Sequence, residues 1–108
     1  EDTLFSPGGF SINELRMRTD LISDANGKLW VSYRTLGVLY YDGQTWVQFN
    51  AANTANQLPS DEVHCLFREN TGVLWIANRQ SLTRKDQNGF KNYFFSTSFN
   101  ISIIKIFL

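Results

Sequence analysis

The side chains that could do acid–base or nucleophilic chemistry are few and scattered in this chain. His64 and Cys65 are adjacent, which is the closest approach of a base to a nucleophile along the sequence. Neighbours on a strand point to opposite faces, so these two residues cannot form a catalytic pair. His64 is the only histidine, which excludes a His-rich metal site, and we expect no Ser-His-Asp triad around it. We therefore expect no catalytic residue, no metal site and no cofactor, and we expect Cys65 to be a small buried apolar residue.

Two carboxylates, Asp24 and Glu69, stand 45 residues apart, and each precedes a turn. Paired carboxylates can act as acid and base in glycoside cleavage. However, these two occupy equivalent positions of an internal repeat, and a residue that recurs in each repeat is typical of turn chemistry. We therefore expect Asp24 and Glu69 to accept backbone N–H groups rather than to catalyse.

The repeat itself is clear at the residue level. The segment Gly27-Lys28-Leu29-Trp30-Val31-Ser32 recurs as Gly72-Val73-Leu74-Trp75-Ile76-Ala77 at an offset of 45 residues. Further on the offset is 44 residues, and it aligns Asp42, Trp46 and Phe49 with Asp86, Phe90 and Tyr93. Because repeated residues usually serve the architecture, we expect structural roles for Gly27, Trp30, Gly72 and Trp75.

Each repeat reads as four short strands separated by turn residues such as Asn26-Gly27. No helical periodicity appears over a useful window, so we predict an all-β protein. The predicted strands are residues 17–23, 29–33, 38–41 and 45–49 in the first repeat, and 63–68, 73–78, 82–85 and 90–95 in the second.

The apolar triplets Leu29-Trp30-Val31 and Leu74-Trp75-Ile76 indicate strands that are covered on both faces. A blade of a β-propeller meets that demand better than a sandwich strand, which has one wet face. We therefore predict two four-stranded antiparallel propeller blades. The predicted organisation is a connector from a preceding blade at residues 1–14, blade one at 15–49, an inter-blade loop at 50–62, blade two at 63–95, and the inner strand of a following, truncated blade at 96–108.

Composition narrows the possible partners. Ten Lys and Arg balance ten Asp and Glu, and no run of like charge stands out, which disfavours nucleic acid and an anionic membrane surface. No targeting segment is visible at the start, although one could have been removed. The apolar end, residues 101–108, is too short to span a bilayer. We expect a strand there, the alternative being the start of a membrane helix.

The order of motifs in each copy resembles the two-component regulator propeller repeat. Each copy has an acidic residue, then Gly-x-Leu-Trp-[Val/Ile]-[Ser/Ala], an apolar strand ending in Asp, and an aromatic-x-x-aromatic strand. The resemblance covers residues 15–95 twice over, with departures at Ser32-Tyr33 and Ala77-Asn78, where the family favours Gly-Thr. It implies the periplasmic sensing region of a bacterial hybrid sensor histidine kinase that responds to polysaccharide fragments, with the kinase elsewhere in the parent protein. Propellers close with about 4 to 8 blades, so two blades imply a fragment of a larger propeller or a self-associating piece.

Ligand recognition should involve loops in which the two copies differ. In a blade, the loop after the second strand and the connector between blades emerge on the same face. Aromatic rings can stack on sugars, and Arg and Asn can bind hydroxyls or carboxylates. The alternative is that these are ordinary solvated loop residues without a ligand. The candidate ligand-binding residues are Tyr33, Arg34, Asn78 and Arg79 in the loops, with Asn53 and Asn56, and more broadly Asn50 and Gln57, in the connector.

These observations together favour a non-enzymatic module that senses a ligand or transmits its binding, with an oligosaccharide as the candidate ligand. Its other partners would be further blades of the parent chain or copies of itself. Two alternatives of other classes stay open: an assembly or dimerisation scaffold, and a propeller polysaccharide lyase or glycosidase.

Overall fold

The computed structural model describes residues 9–23 and 26–94. Its elements in chain order are the helix α1 (Ile12–Leu15) and the strands β1 (Arg18–Ser23), β2 (Leu29–Tyr33), β3 (Gly37–Tyr41), β4 (Trp46–Phe49), β5 (Cys65–Arg68), β6 (Leu74–Ala77), β7 (Ser81–Asp86) and β8 (Gly89–Phe94).

The strands form two four-stranded antiparallel sheets, and within each sheet every strand pairs with the next one along the chain. The β1–β4 sheet is blade one and the β5–β8 sheet is blade two. The all-β prediction is therefore confirmed. The expected further strand within residues 96–108 lies outside the described residues, as do the first eight residues of the expected connector and Asp24.

The helix α1 was not predicted from the sequence. Ser11 accepts a hydrogen bond from the backbone N–H of Glu14, and the carboxylate of Glu14 accepts one from the backbone N–H of Ser11. This reciprocal capping box stabilises a single turn. A four-residue helix is too short to produce a periodic pattern, so its sequence signal is the Ser-x-x-Glu capping motif alone. No helix among the described residues is long enough to cross a membrane.

Glycine defines two of the turns for different reasons. Gly72 adopts φ +93° in the β5–β6 hairpin, where a Cβ would meet nothing within 4 Å. Gly37 adopts φ +77° at the start of β3, and a Cβ there would collide with the backbone oxygen of Phe49. The first position therefore needs glycine only for its backbone conformation, and the second also needs it for space.

The two blades pack face to face through an apolar seam. Strand register places Ile22, Trp30, Val38 and Phe49 on one face of blade one, which we term its trailing face. This face packs against Leu66, Leu74 and Ile76 on the leading face of blade two, together with Val63 and Leu58 of the connector. Five residues of this cluster are less than 3% exposed: Val38, Leu58, Val63, Leu66 and Ile76.

The leading face of blade one is also covered. Val31, Tyr33 and Leu39, with Leu36 of the β2–β3 loop, form a second buried cluster, against which Phe10 and Leu15 pack. Leu15 precedes blade one much as Leu58 precedes blade two, at an offset of 43 residues. Strand β2 is thus enclosed on both faces, as its consecutive apolar residues require.

The first strands of the two blades lie side by side. A carboxylate oxygen of Asp20 in β1 accepts the backbone N–H of Leu66 in β5 at 2.9 Å. The hydroxyl of Thr19 donates to the backbone oxygen of Val63 at 2.7 Å. These bonds fix the inner edges of the two blades, so the loops at each end of the sheets hold a defined relative position.

Candidate functional site

The side chain of Glu62 forms the centre of a charged cluster at the end of the connector, just before β5. Its Oε2 accepts a hydrogen bond from Nε2 of His64 at 2.8 Å. Residues two apart in an extended chain point to the same side, which places this pair together by local geometry alone. The carboxylate is therefore held in one orientation by its own segment.

Two arginines from different blades approach the same carboxylate oxygen. Nη1 of Arg34, in the β2–β3 loop, lies 3.8 Å from Oε2 of Glu62, and Nη2 of Arg79, in the β6–β7 loop, lies 3.6 Å from it. Arg34 and Arg79 occupy equivalent repeat positions, 45 residues apart. We call Arg34, Glu62, His64 and Arg79 the Glu62 cluster.

Backbone bonds hold the loops of the Glu62 cluster in place. The N–H of Gly37, at the end of the β2–β3 loop, donates to the backbone oxygen of Asp61 at 2.8 Å. The N–H of Val63 donates to Tyr33 O at 3.1 Å, and that of His64 donates to Ala77 O at 2.8 Å. The connector is therefore hydrogen-bonded to the end of β2 in blade one and to the end of β6 in blade two. These bonds bring both arginines to Glu62.

The electrostatics of the cluster favour an anion. The hydrogen bond from His64 lowers the pKa of Glu62, as do the charges of His64, Arg79 and Arg34, and desolvation only partly opposes them. The two guanidinium groups and the carboxylate of Glu62 together bring two positive charges and one negative charge to the cluster. The arginine side chains are 51% and 62% exposed. Because both contacts with Glu62 are longer than hydrogen bonds, the guanidinium groups keep donors for a further acceptor.

A shallow polar depression adjoins the cluster. It encloses about 320 Å³ and is lined by Ser60, Glu62, Asn78, Arg79 and Gln80. Every one of these side chains can donate or accept hydrogen bonds. The surface is thus suited to a polar, anionic ligand. Among the described residues, no group of three or more His, Cys, Asp or Glu residues is arranged to hold a metal ion.

The predicted ligand-binding residues fall into different places. Arg34 and Arg79 come together, as described above. Tyr33 does not join them: its ring belongs to the core of blade one, it is 3% exposed, and burial raises the pKa of its phenol. A buried ring cannot stack on a sugar, so we remove Tyr33 from the candidate site.

The four predicted asparagines mainly shape their own loops. Oδ1 of Asn78 accepts the N–H of Gln80, and both the N–H and the hydroxyl of Ser81, which builds the β6–β7 turn. Asn53 exchanges side-chain-to-backbone hydrogen bonds with Asn50, and Asn56 adopts φ +64°. Asn78 also lines the depression, whereas Asn53 and Asn56 do not.

Sequence reasoning missed Glu62 and His64. His64 was considered as a catalytic partner of its neighbour Cys65, which points to the opposite face. It was not considered as a partner of Glu62, two positions earlier. The pattern Glu-x-His at the start of a strand is the signal that could have found the pair, because alternate residues share a face.

The role expected of Glu69 also needs correction. Its Oε2 accepts the indole N–H of Trp75 at 2.9 Å, so the carboxylate holds the repeated tryptophan rather than the backbone of a turn. In the β5–β6 turn, Glu69 contributes backbone bonds, in which its N–H donates to Val73 and its oxygen accepts from Gly72. Glu69 is thus structural, as expected, but through its contact with Trp75.

Comparisons with known proteins bear on the fold. No protein-family model matches the sequence, and no curated protein matches it significantly. Among solved structures, the chain is similar to the virginiamycin B lyase from Staphylococcus aureus, determined with selenomethionine, with a TM-score of 0.60 and 15% identity. The match covers 74% of this chain and 27% of the lyase, so the chain spans about a quarter of that structure's length.

That structure is a β-propeller. At 15% identity the likeness bears on fold alone. Together with the paired sheets, the seam between them and the side-by-side inner strands, it shows that this chain is built from β-propeller blades.

Proposed function

We propose that this chain is a non-enzymatic, ligand-sensing part of a β-propeller, and that its ligand is an acidic oligosaccharide bound at the Glu62 cluster. The observation that carries the proposal is the convergence of Arg34 and Arg79. Two equivalent loops each direct one guanidinium group to the same carboxylate. A propeller that repeats this arrangement presents one cation per blade along one face, which suits a linear polyanion.

The chemistry of the cluster supports an anionic group on the ligand. A guanidinium group binds a carboxylate or sulfate through two parallel hydrogen bonds, and such charge-assisted bonds are stronger than neutral ones. Glu62 holds both arginines near one another without consuming their donors. Ser60, Asn78 and Gln80 around the depression offer further hydrogen bonds to sugar hydroxyls.

The biological setting comes from the repeat resemblance described above. Two-component regulator propellers are periplasmic sensing regions, and a propeller face that binds polysaccharide fragments would serve that role. We therefore place this module in the periplasm, within the sensor region of a bacterial hybrid histidine kinase.

Calorimetry with charged and neutral sugars tests the proposal. We expect the 108-residue chain to bind oligogalacturonate or a sulfated oligosaccharide, and to bind a neutral oligosaccharide of the same length at least tenfold more weakly. Replacing Arg34 or Arg79 by Ala should weaken binding of the acidic ligand by about 10- to 100-fold, because a hydrogen bond to a charged group contributes about 1.5–3 kcal/mol.

Arg68 provides the matched control. It lies at the other end of β5, where its Nε donates to the backbone oxygen of Ser23. Arg68→Ala should leave binding of the acidic sugar unchanged. Equal affinity for acidic and neutral sugars, or equal losses in all three arginine variants, would contradict a site at the Glu62 cluster.

One observation favours a second candidate, an enzyme that cleaves polysaccharides. The hydrogen bond between Glu62 and His64 is a pairing that could support proton transfer. Incubating the chain with polysaccharides and measuring reducing ends separates the candidates. We expect no product from the unmodified chain. Product that disappears in His64→Ala would replace the sensing proposal with an enzymatic one.

A further inference from the structure

The seam between the blades contains a lysine surrounded by aromatic rings. Nζ of Lys85 lies 5.5 Å from the ring centroid of Trp30, 5.2 Å from that of Phe49 and 5.5 Å from that of Phe90. Trp30 and Phe49 belong to the trailing face of blade one, whereas Lys85 and Phe90 belong to the leading face of blade two. The second blade therefore supplies the cation, and the first supplies two of the rings that receive it.

The trailing face of blade two, formed by Phe67, Trp75, Leu82 and Tyr93, repeats the aromatic half of that arrangement. Trp75 and Tyr93 are the repeat equivalents of Trp30 and Phe49, and their ring centroids are 6.1 Å apart. Tyr93 is 41% exposed, so this face is open within the part of the chain that the structure describes.

A second difference concerns charge. Nζ of Lys91 lies 5.5 Å from the Tyr93 ring, a separation close to that between Lys85 and Phe49. The residue of blade one that is equivalent to Lys91 is Val47. Blade two therefore has its own cation, Lys91, beside the ring of its outer strand. In blade one, the cation beside the corresponding ring, Phe49, is Lys85 of the neighbouring blade.

The other charged groups on this face lie in contacts of their own. Arg84 forms an ion pair with Asp86. The carboxylate of Glu69 accepts the indole N–H of Trp75, a neutral donor that does not cancel its charge. Lys91 is exposed. Beside the Tyr93 ring, an incoming lysine would meet the ammonium of Lys91, whereas an acidic side chain would pair with it.

We propose that the trailing face of blade two is the docking surface for a further propeller blade that carries Asp or Glu, and not Lys, at the position equivalent to Lys85. The existing seam supplies the template for the apolar contacts, and Lys91 supplies the charge preference. A second copy of this chain fits poorly. Its blade one has Tyr41 at the Lys85 position, and Phe10 and Leu15 already pack on that blade's leading face.

An inserted blade tests this surface. A copy of residues 50–94 is inserted after Phe94 of the full chain, with Lys, Met or Glu at the inserted position equivalent to Lys85. Each version is made with Lys91 and with Lys91→Glu in the original blade two. Hydrogen exchange of the Trp75 indole N–H, followed by NMR, reports docking, and dispersed spectra report folding of the inserted blade.

We expect the Glu version to slow exchange of the Trp75 indole about tenfold more than the Lys version when residue 91 is lysine, with Met between them. With Lys91→Glu, the order should reverse. The proposal would be overturned if the order of the three versions were the same with lysine and with glutamate at position 91. Fast exchange of the Trp75 indole in every folded version would overturn it too. Concentration-dependent protection without an inserted blade would assign the face to self-association instead.

A second measurement decides the matter if the inserted blade does not fold. Val47→Lys introduces the charge of blade two into the existing seam, opposite Lys85. We expect this variant to lower the folding equilibrium constant about tenfold in urea titrations, and Lys85→Glu added to it to restore severalfold of that loss. Additive losses in the double variant would show that charge at these positions does not select the neighbouring blade.

Discussion

The repeated tryptophans, Trp30 and Trp75, have the same sequence motif and different surroundings. Trp30 packs against the seam cluster, with the rings of Tyr40 and Phe49 at 4.3 and 6.0 Å. Trp75 lies on the trailing face of blade two, where Glu69 fixes its N–H and Tyr93 is its ring neighbour at 6.1 Å. The motif thus determines the position of the indole within its own sheet. The packing of a neighbouring blade determines how much that indole contributes to stability.

The largest predicted effect is the difference between the two tryptophan truncations. Trp30→Ala should lower the free energy of unfolding by about 3–5 kcal/mol, because it opens a cavity in the seam. Both indoles are half-buried, but Trp75 does not pack against the seam cluster, so Trp75→Ala should cost only roughly 1–2 kcal/mol. Urea unfolding of both variants measures the difference. Equal losses would show that Trp75 is as well covered as Trp30.

The glycine positions offer a second comparison between the blades. Gly72→Ala should cost about 1–2 kcal/mol, the strain of a positive φ in a residue with Cβ. Gly37→Ala should cost roughly 1–3 kcal/mol more than that, because its Cβ also meets the backbone of Phe49 and forces a shift. The pair of variants separates strain from crowding, and thermal or urea unfolding measures both. If Gly72→Ala were the costlier change, the close approach at Gly37 would not be a tight one.

A third prediction concerns the hydrogen bond that fixes Trp75. Glu69→Leu should destabilise blade two by about 1 kcal/mol, the usual net contribution of a hydrogen bond. Glu69→Gln should cost less, because its amide oxygen can still accept the indole N–H. The shift of the Trp75 indole proton in NMR identifies the bond directly. An unchanged indole signal in Glu69→Leu would show that Glu69 does not hold the indole of Trp75.

Much of the fold could be predicted because it is local. Gly-x-Leu-Trp followed by polar turns specifies hairpins, and the apolar triplet around Trp30 indicates a strand enclosed on both faces. The seam contacts could not be predicted in detail, since the choice of Lys85 as the partner of Trp30 depends on how two sheets pack. The helix α1 was missed because its capping box stabilises only one turn.

The candidate site was predictable in part for the same reason. Blade topology puts the loops of Arg34 and Arg79 at one end of the sheets, and the structure brings both to one carboxylate. Tyr33 was counted with the loop after the second strand, whereas the structure places it at the end of β2, where Leu36 and the residues before β1 cover it. Glu62 was missed because its role is created by arginines that are distant in sequence.

The smallest predicted effect is the pH dependence of stability that comes from Glu62. Its pKa is lowered from 4.5 in the folded protein, chiefly by the hydrogen bond from His64. The stabilisation is therefore complete above the unfolded value of 4.5, and it is lost as the pH falls through the lower folded value. Solvent screens this partly exposed carboxylate, so the contribution should stay below about 1 kcal/mol.

Glu62→Gln isolates that contribution, because it keeps the shape of the side chain and removes the titration. Urea unfolding between about pH 3 and pH 6 spans the ordinary range of a glutamate pKa, and the variant should show a shallower loss of stability than the parent. A sulfated ligand, which stays ionised throughout, should bind more tightly to the parent as Glu62 becomes protonated and both arginines lose their counter-ion. Stability and affinity would thus change in opposite directions over the same pH range. Such a result requires the negative charge of Glu62 to oppose the binding of an anion at Arg34 and Arg79, whereas a purely structural ion pair would lose stability and affinity together.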